Sequence, residues 1–370
     1  MSALSWRLKE SWTFVEDRAD QVAEYLYARI FMRWPELREL FPLHMDVQRE
    51  RLITAVVGVI QTVDNPQHFD SYLRQLGRDH RKFGVHPEHY GVFGECLVEA
   101  IRVHAGSNWN AEHEQAWREL YQAMAERMIA GARDDSHNPA YWEADVLTHE
   151  RRTHDVAVFT VRPTLPLPYR AGQHVTIESP YRPKTWRQYS VANAPRPDGL
   201  MEFHVRAAGD AVVASSLVWR LGVGDRIRIG PAAGAMRLDH ESPRDMVCVA
   251  DGVGLAPIKA MVEELAKTNR MRWVHIFFGV RDRDELYDLP ALQELASRCP
   301  WLSLVPCVSD DPTSSFEQGA VPDVVASYGP WNSHDFYICG SSSVVSDTLA
   351  KLRQMGVPPT RISHDTFTSG

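Results

Sequence analysis

The stretch Met246-Val247-Cys248-Val249-Ala250-Asp251-Gly252-Val253-Gly254-Leu255-Ala256-Pro257 decides how the second half of the chain folds. Its apolar start reads as a buried strand, its two glycines as a tight turn, and its proline as the first turn of a helix. Small residues at such a turn let backbone N–H groups approach an anion. Gly252, Val253, Gly254, Leu255, Ala256 and Pro257 therefore form a candidate pyrophosphate cradle. A lone G-x-G is weak. The strand–turn–helix setting strengthens it, as does Tyr337-Ile338-Cys339-Gly340 downstream, which adds Cys339 and Gly340 to the candidate binding residues.

Outward from this stretch, apolar runs over 246–250, 273–279, 303–307 and 336–339 alternate with helical patterns over 257–267, 289–298 and 343–355. The alternation predicts βαβ units and a parallel sheet over residues 244–370. Upstream, short β-branched runs over 156–161, 174–177 and 201–205, punctuated by Pro and Gly, predict an antiparallel β-barrel over 140–240. From Ser2 to about Ala132 the spacing is helical, as in Val22, Leu26, Tyr27, Ile30 and Phe31, with breaks at Trp34-Pro35, Asp64-Asn65-Pro66, 84–87 and 106–110. An all-α domain over 1–134 follows, with 133–139 as connecting segment.

A chain of 370 residues, 44% hydrophobic and 24% charged, is long enough for two or three cores. The net charge of −8, with no basic run, argues against nucleic acid or an anionic membrane surface as partner. A small-molecule substrate is expected. Residues 1–18 carry too many charges for a signal peptide or a span, and no later stretch suits a bilayer. A cytoplasmic location and a monomer are the expectations. The five cysteines (Cys96, Cys248, Cys299, Cys307, Cys339) form no C-x-x-C pair, which fits a reducing compartment and excludes a four-cysteine iron–sulfur centre.

Taken alone, any of the sixteen histidines reads as an ordinary surface or core residue. The ordered set says more. Tyr27-Ala28-Arg29-Ile30-Phe31, Trp34-Pro35-Glu36-Leu37, Phe41, Gln48, Leu52, His80 and Tyr90 resemble the globins, and among them the bacterial flavohaemoglobin family. The resemblance implies that His80 is the proximal ligand of a haem b iron and that Phe41 packs on the haem face. Gln48 and Leu52, spaced i, i+4, share a helix face, and Tyr27 can offer its hydroxyl to a distal ligand. His44, His86 and His89 read as surface residues near turns. Two departures stand out. The family's proximal histidine is tied to a tyrosine and a glutamate; Tyr90 matches the tyrosine, but Ala132 stands where the glutamate is expected. Asp79 replaces the lysine that commonly precedes the histidine, and an anion there is expected to favour ferric haem.

Residues 142–370 resemble the ferredoxin-reductase-like flavoproteins. Arg187-Gln188-Tyr189-Ser190 matches the R-x-Y-S motif, which implies FAD binding: Arg187 on pyrophosphate, Tyr189 on the isoalloxazine, Ser190 near the reactive nitrogen. Arg170-Ala171-Gly172-Gln173-His174 resembles the R-P-G-Q-Y strand entry, with His174 in place of tyrosine. The second phosphate turn, 209–215, departs from the family, leaving Ser215 to cap the following helix. Asp251 stands where the family has glycine, and Ser341 where it has proline. Asp282, in Gly279-Val280-Arg281-Asp282, favours the free ribose hydroxyl of NADH, with Arg281 or Arg283 leaving NADPH as the alternative. Asp365-Thr366-Phe367 resembles the acidic-x-aromatic tail over the flavin.

The resemblance implies electrons passing from NADH through FAD to haem, and conversion of nitric oxide and dioxygen to nitrate. The alternatives are an NADH oxidase, a reductase or dehydrogenase of another small molecule, and a haem-based gas sensor.

Overall fold

A computed structural model describes residues 2–209, 211–268 and 271–367, with Phe367 described by its backbone alone. Two compact units divide at Tyr141 and Trp142.

The first unit is all helix: α1 (Ala3–Thr13), α2 (Ala19–Arg33), α3 (Asp46–Thr62), α4 (Pro66–His80), α5 (Pro87–Ala105) and α6 (Ala111–Asp134), joined by short turns. Local chemistry sets the starts. Asn65 and Asn110 accept from the N–H groups of His68 and His113, capping α4 and α6, and Pro66 and Pro87 open α4 and α5. The helices close over Leu8, Leu26, Ile30, Leu73, Ile101 and Trp117, all essentially buried. Helices α4 and α6 cross backbone to backbone. A Cβ on Gly77 would lie 1.9 Å from the Met128 carbonyl oxygen, and one on Gly131 would lie 2.1 Å from that of Arg74. Only glycine allows that approach. The segment read as a connection is partly structured: α6 runs to Asp134, and Arg81 holds Asp135 at 2.5 Å and the Asn138 carbonyl at 2.6 Å.

The second unit has two lobes. In the first, β1 (Trp142–Arg151), β2 (Val156–Pro163), β3 (His174–Glu178), β4 (Trp186–Ser190), β5 (Met201–Arg206) and β6 (Arg226–Ile229) form an antiparallel sheet in the order β4-β3-β6-β1-β2-β5. A single bridge, Val191 to Phe203, brings the two edges together and nearly closes the barrel. Helix α7 (Val212–Trp219) covers its apolar interior. Ser215 lies inside α7 rather than before it. The residue at the cap is Ala211, whose side chain has no oxygen to accept from the N–H groups of the first turn, so the expectation for Ser215 is corrected.

The other lobe alternates β7 (Met246–Asp251), α8 (Leu255–Ala266), β8 (Val274–Val280), α9 (Leu289–Arg298), β9 (Leu302–Val308), β10 (Glu317–Gln318), α10 (Val321–Tyr328), β11 (Asp335–Ser341), α11 (Ser342–Gln354) and β12 (Ile362–Phe367). The sheet is parallel, in the order β10-β9-β8-β7-β11-β12. Its direction of winding reverses between β7 and β11, and the crevice at the carboxyl ends of those strands is where such sheets take ligands. Among the described residues, no helix is long and apolar enough to cross a membrane.

Candidate functional site

In the helical unit, the side chains of Tyr27 of α2 and Gln48 of α3 meet: Gln48 Nε2 donates to the Tyr27 hydroxyl at 3.1 Å. Burial pushes the phenol up to about 12, against the smaller opposing effect of Gln48, so the hydroxyl remains protonated through physiological pH. Phe41 stands edge-on to Tyr27, its centroid 5.3 Å away, and Leu52, one turn beyond Gln48, joins the same apolar surface. His44 and His86 are exposed and His89 is half-buried, as turn residues should be.

His80 ends α4. Its Nδ1 lies 2.8 Å from the Leu76 carbonyl oxygen, so Nδ1 carries the hydrogen and Nε2 keeps a free lone pair. Burial lowers the imidazole's proton affinity, outweighing the Leu76 bond and the Asp79 charge, and the ring is neutral. A neutral imidazole with one nitrogen fixed and the other free is what an axial iron ligand requires. Among the described residues, no group of three or more His, Cys, Asp or Glu side chains is arranged to hold a metal. Tyr90 is buried, its phenol pushed up to about 12 by burial, but its hydroxyl is not the partner of His80. The half-buried Ala132 supplies no carboxylate. The expected anion beside the haem is also compensated: Asp79 pairs with the buried Lys82 at 2.6 Å.

In the barrel, β4 carries Arg187, Gln188, Tyr189 and Ser190, and antiparallel register sets His174 opposite Ser190 and Val175 opposite Tyr189. Burial pushes the Tyr189 phenol up, which suits a residue covering a flat apolar ring. His174 Nδ1 lies 3.6 Å from Asp365 Oδ2, so the tail strand β12 reaches the flavin-site strand. The Phe367 side chain lies outside the described residues.

At the parallel-sheet crevice, a Cβ on Gly254 would lie 2.2 Å from the Cys339 carbonyl oxygen, so the glycine turn rests directly on β11. Gly252 has φ +53, in the left-handed region that favours glycine, and opens the turn Gly252–Gly254 ahead of α8. Burial raises the Cys339 thiol well above its usual value, with Asp365 and Asp251 adding to it; the thiol stays protonated. Beyond β8, Arg281 pairs with Glu285 at 2.5 Å and Arg283 approaches Asp311 at 3.8 Å.

Three features escaped the sequence reading. Leu76 acts through its backbone, which no side-chain pattern reveals. Lys82 stands three residues after Asp79, a helical spacing that could have signalled their pairing. Arg206, at the end of β5, is held by Asp155 and Glu285, each at 3.0 Å, with Nη1 3.3 Å from the place a Gly252 Cβ would take. It is a cation beside the glycine turn.

Residues 24–128 match the globin family, residues 143–237 the oxidoreductase FAD-binding domain, and residues 248–349 the oxidoreductase NAD-binding domain. The flavohemoprotein of Bacillus subtilis (strain 168) is 26% identical over 97% of this chain and 95% of its own. The ferredoxin–NAD(P)+ reductase component of the naphthalene 1,2-dioxygenase/salicylate 5-hydroxylase systems of Ralstonia sp. is 31% identical over 59% of this chain and 66% of its own. The flavohemoglobin of Malassezia yamatoensis, solved with FAD and heme, shares the fold with a TM-score of 0.81 at 18% identity, covering 99% of each chain. A globin followed by flavin- and nicotinamide-binding domains defines the class: an oxidoreductase that moves electrons from NADH through FAD to haem. The chain belongs to the flavohaemoglobin family, as a divergent member whose cofactors are haem, FAD and NAD(H).

Proposed function

We propose that the protein is a nitric oxide dioxygenase, converting nitric oxide and dioxygen to nitrate with electrons from NADH. The observation that carries this reading is the Tyr27–Gln48 hydrogen bond. Gln48 donates to the Tyr27 oxygen and so leaves the buried phenol's own hydrogen available, among apolar neighbours, for a polar diatomic ligand. Haem supplies the iron at which the two gases combine, and FAD converts a hydride into single electrons.

The protein's own residues have positioning roles. His80 holds the iron, Phe41 and Leu52 keep water from the haem face, and Tyr27 donates toward the bound gas. In the second unit, Arg187 clamps a pyrophosphate, Tyr189 covers the flavin ring, and the 252–257 turn with Cys339 and Gly340 seats the nicotinamide dinucleotide. Asp282, just beyond β8, supports NADH over NADPH, because a carboxylate there suits the free ribose 2′-hydroxyl and repels a 2′-phosphate. A cytoplasmic monomer acting on small molecules is part of the same reading.

A second reading has its own support. The carbonyl partner of His80 and the absence of a carboxylate at Ala132 suit a haem that relays or slowly reduces oxygen, with a reductase serving another acceptor. To separate them, the protein would be reduced with NADH, exposed to air and mixed with nitric oxide in a stopped-flow cell. Nitrate formed in the mixing phase supports the dioxygenase. Turnover with an organic acceptor exceeding that with nitric oxide, and no nitrate, would sink it.

A further inference from the structure

Asp251 introduces a carboxylate into the first turn of the nucleotide lobe. Its Oδ2 accepts from the Ser341 N–H at 3.1 Å and from the Ser341 hydroxyl at 2.7 Å. A proline at 341 could supply neither donor. The two departures from the family pattern are therefore one feature. Gly340 completes it, because a Cβ there would lie 2.5 Å from Asp251 Cβ. The carboxylate is thus fixed at the carboxyl end of β7, against the end of β11 and the start of α11, whose dipole offsets part of the cost of its charge.

A second carboxylate approaches from the other side of β11. Register pairs Cys339 with Asp365 of β12 and with Ala250 of β7, the residue before Asp251. Cys339 therefore stands between two strands that each bring a carboxylate to this end of the sheet. Both charges add to the effect of burial in keeping its thiol protonated. Asp365 has a basic neighbour, His174, at 3.6 Å, whereas both donors from Ser341 to Asp251 are neutral.

We propose that Asp251, together with Asp365, makes the nicotinamide pocket discriminate by ring charge, holding the cationic ring of NAD+ more tightly than the neutral ring of NADH. The inference rests on the reading of Cys339 and the glycine turn as the nicotinamide site. In hydride transfer the C4–H bond of NADH breaks, hydrogen leaves with both electrons for the flavin, and the ring acquires a positive charge. Fixed carboxylates beside it stabilise that charge as it develops. Delivery to the flavin is favoured, and the product NAD+ is retained.

The test is isothermal titration of the full-length holoenzyme with NAD+ and with 1,4,5,6-tetrahydro-NAD, whose ring is uncharged and cannot give up hydride. Asp251→Asn keeps the shape and removes the charge. It is expected to weaken NAD+ about three- to tenfold while moving tetrahydro-NAD less than about twofold. Asp365→Asn carries the same prediction through a carboxylate that does not bond Ser341. Equal changes for both ligands, or none for either, would overturn the inference. Gly254→Val tests the underlying site: its side chain collides with Cys339, and both ligands should be lost. If both still bind that variant, the site reading itself fails.

Discussion

The imidazole Nδ1 of His80 donates to the carbonyl oxygen of Leu76, 2.8 Å away and one turn back along α4. A backbone carbonyl is a neutral acceptor and draws the proton less strongly than a carboxylate, so the ring donates less electron density to iron. The iron–histidine stretching band of the ferrous protein should therefore lie at the low-frequency end for imidazole ligands. Ala132→Glu, which restores a carboxylate on α6, should raise it. An unchanged Raman band in that variant would mean that Leu76 remains the only partner.

Position 77 controls how that histidine is seated. Gly77 lies one turn before His80, and a methyl there would fall 1.9 Å from a backbone oxygen of α6, which cannot move without shifting the helix. Gly77→Ala should destabilise the helical unit by about 3 kcal/mol or more and release haem at lower temperature. Thermal unfolding followed at the Soret band measures both. A variant as stable as wild type would contradict the helix crossing.

Tyr27→Phe removes the hydroxyl and leaves Gln48 without its partner. One hydrogen bond of roughly 1.5 kcal/mol corresponds to about tenfold faster dioxygen dissociation, measured by flash photolysis. Because burial holds the Tyr27 phenol near 12, its hydroxyl stays a donor, and the wild-type rate should be flat from neutral pH to about 10. A rate that rises through that window would place the phenol elsewhere.

Glu202 of β5 and Asp288, just before α9, both accept from Lys259 of α8, at 2.8 and 2.9 Å, and His204 joins Glu202 at 3.0 Å. Burial alone would raise the Glu202 carboxyl; the bonds and charges of His204 and Lys259 outweigh it and hold it at about 2, below its usual 4.5. A depressed carboxylate contributes stability above its unfolded pKa and loses it as pH falls through the folded value. The second unit should lose on the order of 3 kcal/mol between about pH 4.5 and 2. Lys259→Met should cost about 3–5 kcal/mol at neutral pH, because Asp288 would be left buried and unpaired. Denaturant titrations across pH show both effects; a flat acid limb would remove Glu202 from the network.

Much of this was legible in the sequence because local rules and tertiary packing agree. Asn65-Pro66 and Asn110 mark helix starts by their own chemistry, and the glycine turn after β7 is written in five apolar residues and two glycines. Short elements were not legible. Helix α10 (Val321–Tyr328) and the edge strand β10 carry too little periodicity, and α7 begins at Val212, after an Ala211 that has no capping side chain. Position-by-position comparison also treats each departure as separate. Asp251 and Ser341 lie 90 positions apart in sequence yet share two hydrogen bonds, and Asp79 is offset by a lysine buried one turn away. Compensation of that kind is a fact of space.

The most direct test is the balance sheet of turnover with nitric oxide. The purified holoenzyme in aerated buffer would be given NADH and nitric oxide, and the NADH consumed and the nitrate formed would be counted together. A hydride carries two electrons and each nitric oxide converted to nitrate needs one, so two nitrates per NADH are predicted. NADH oxidised at the same rate without nitric oxide, and no nitrate, would make the chain an oxidase or a reductase of another acceptor.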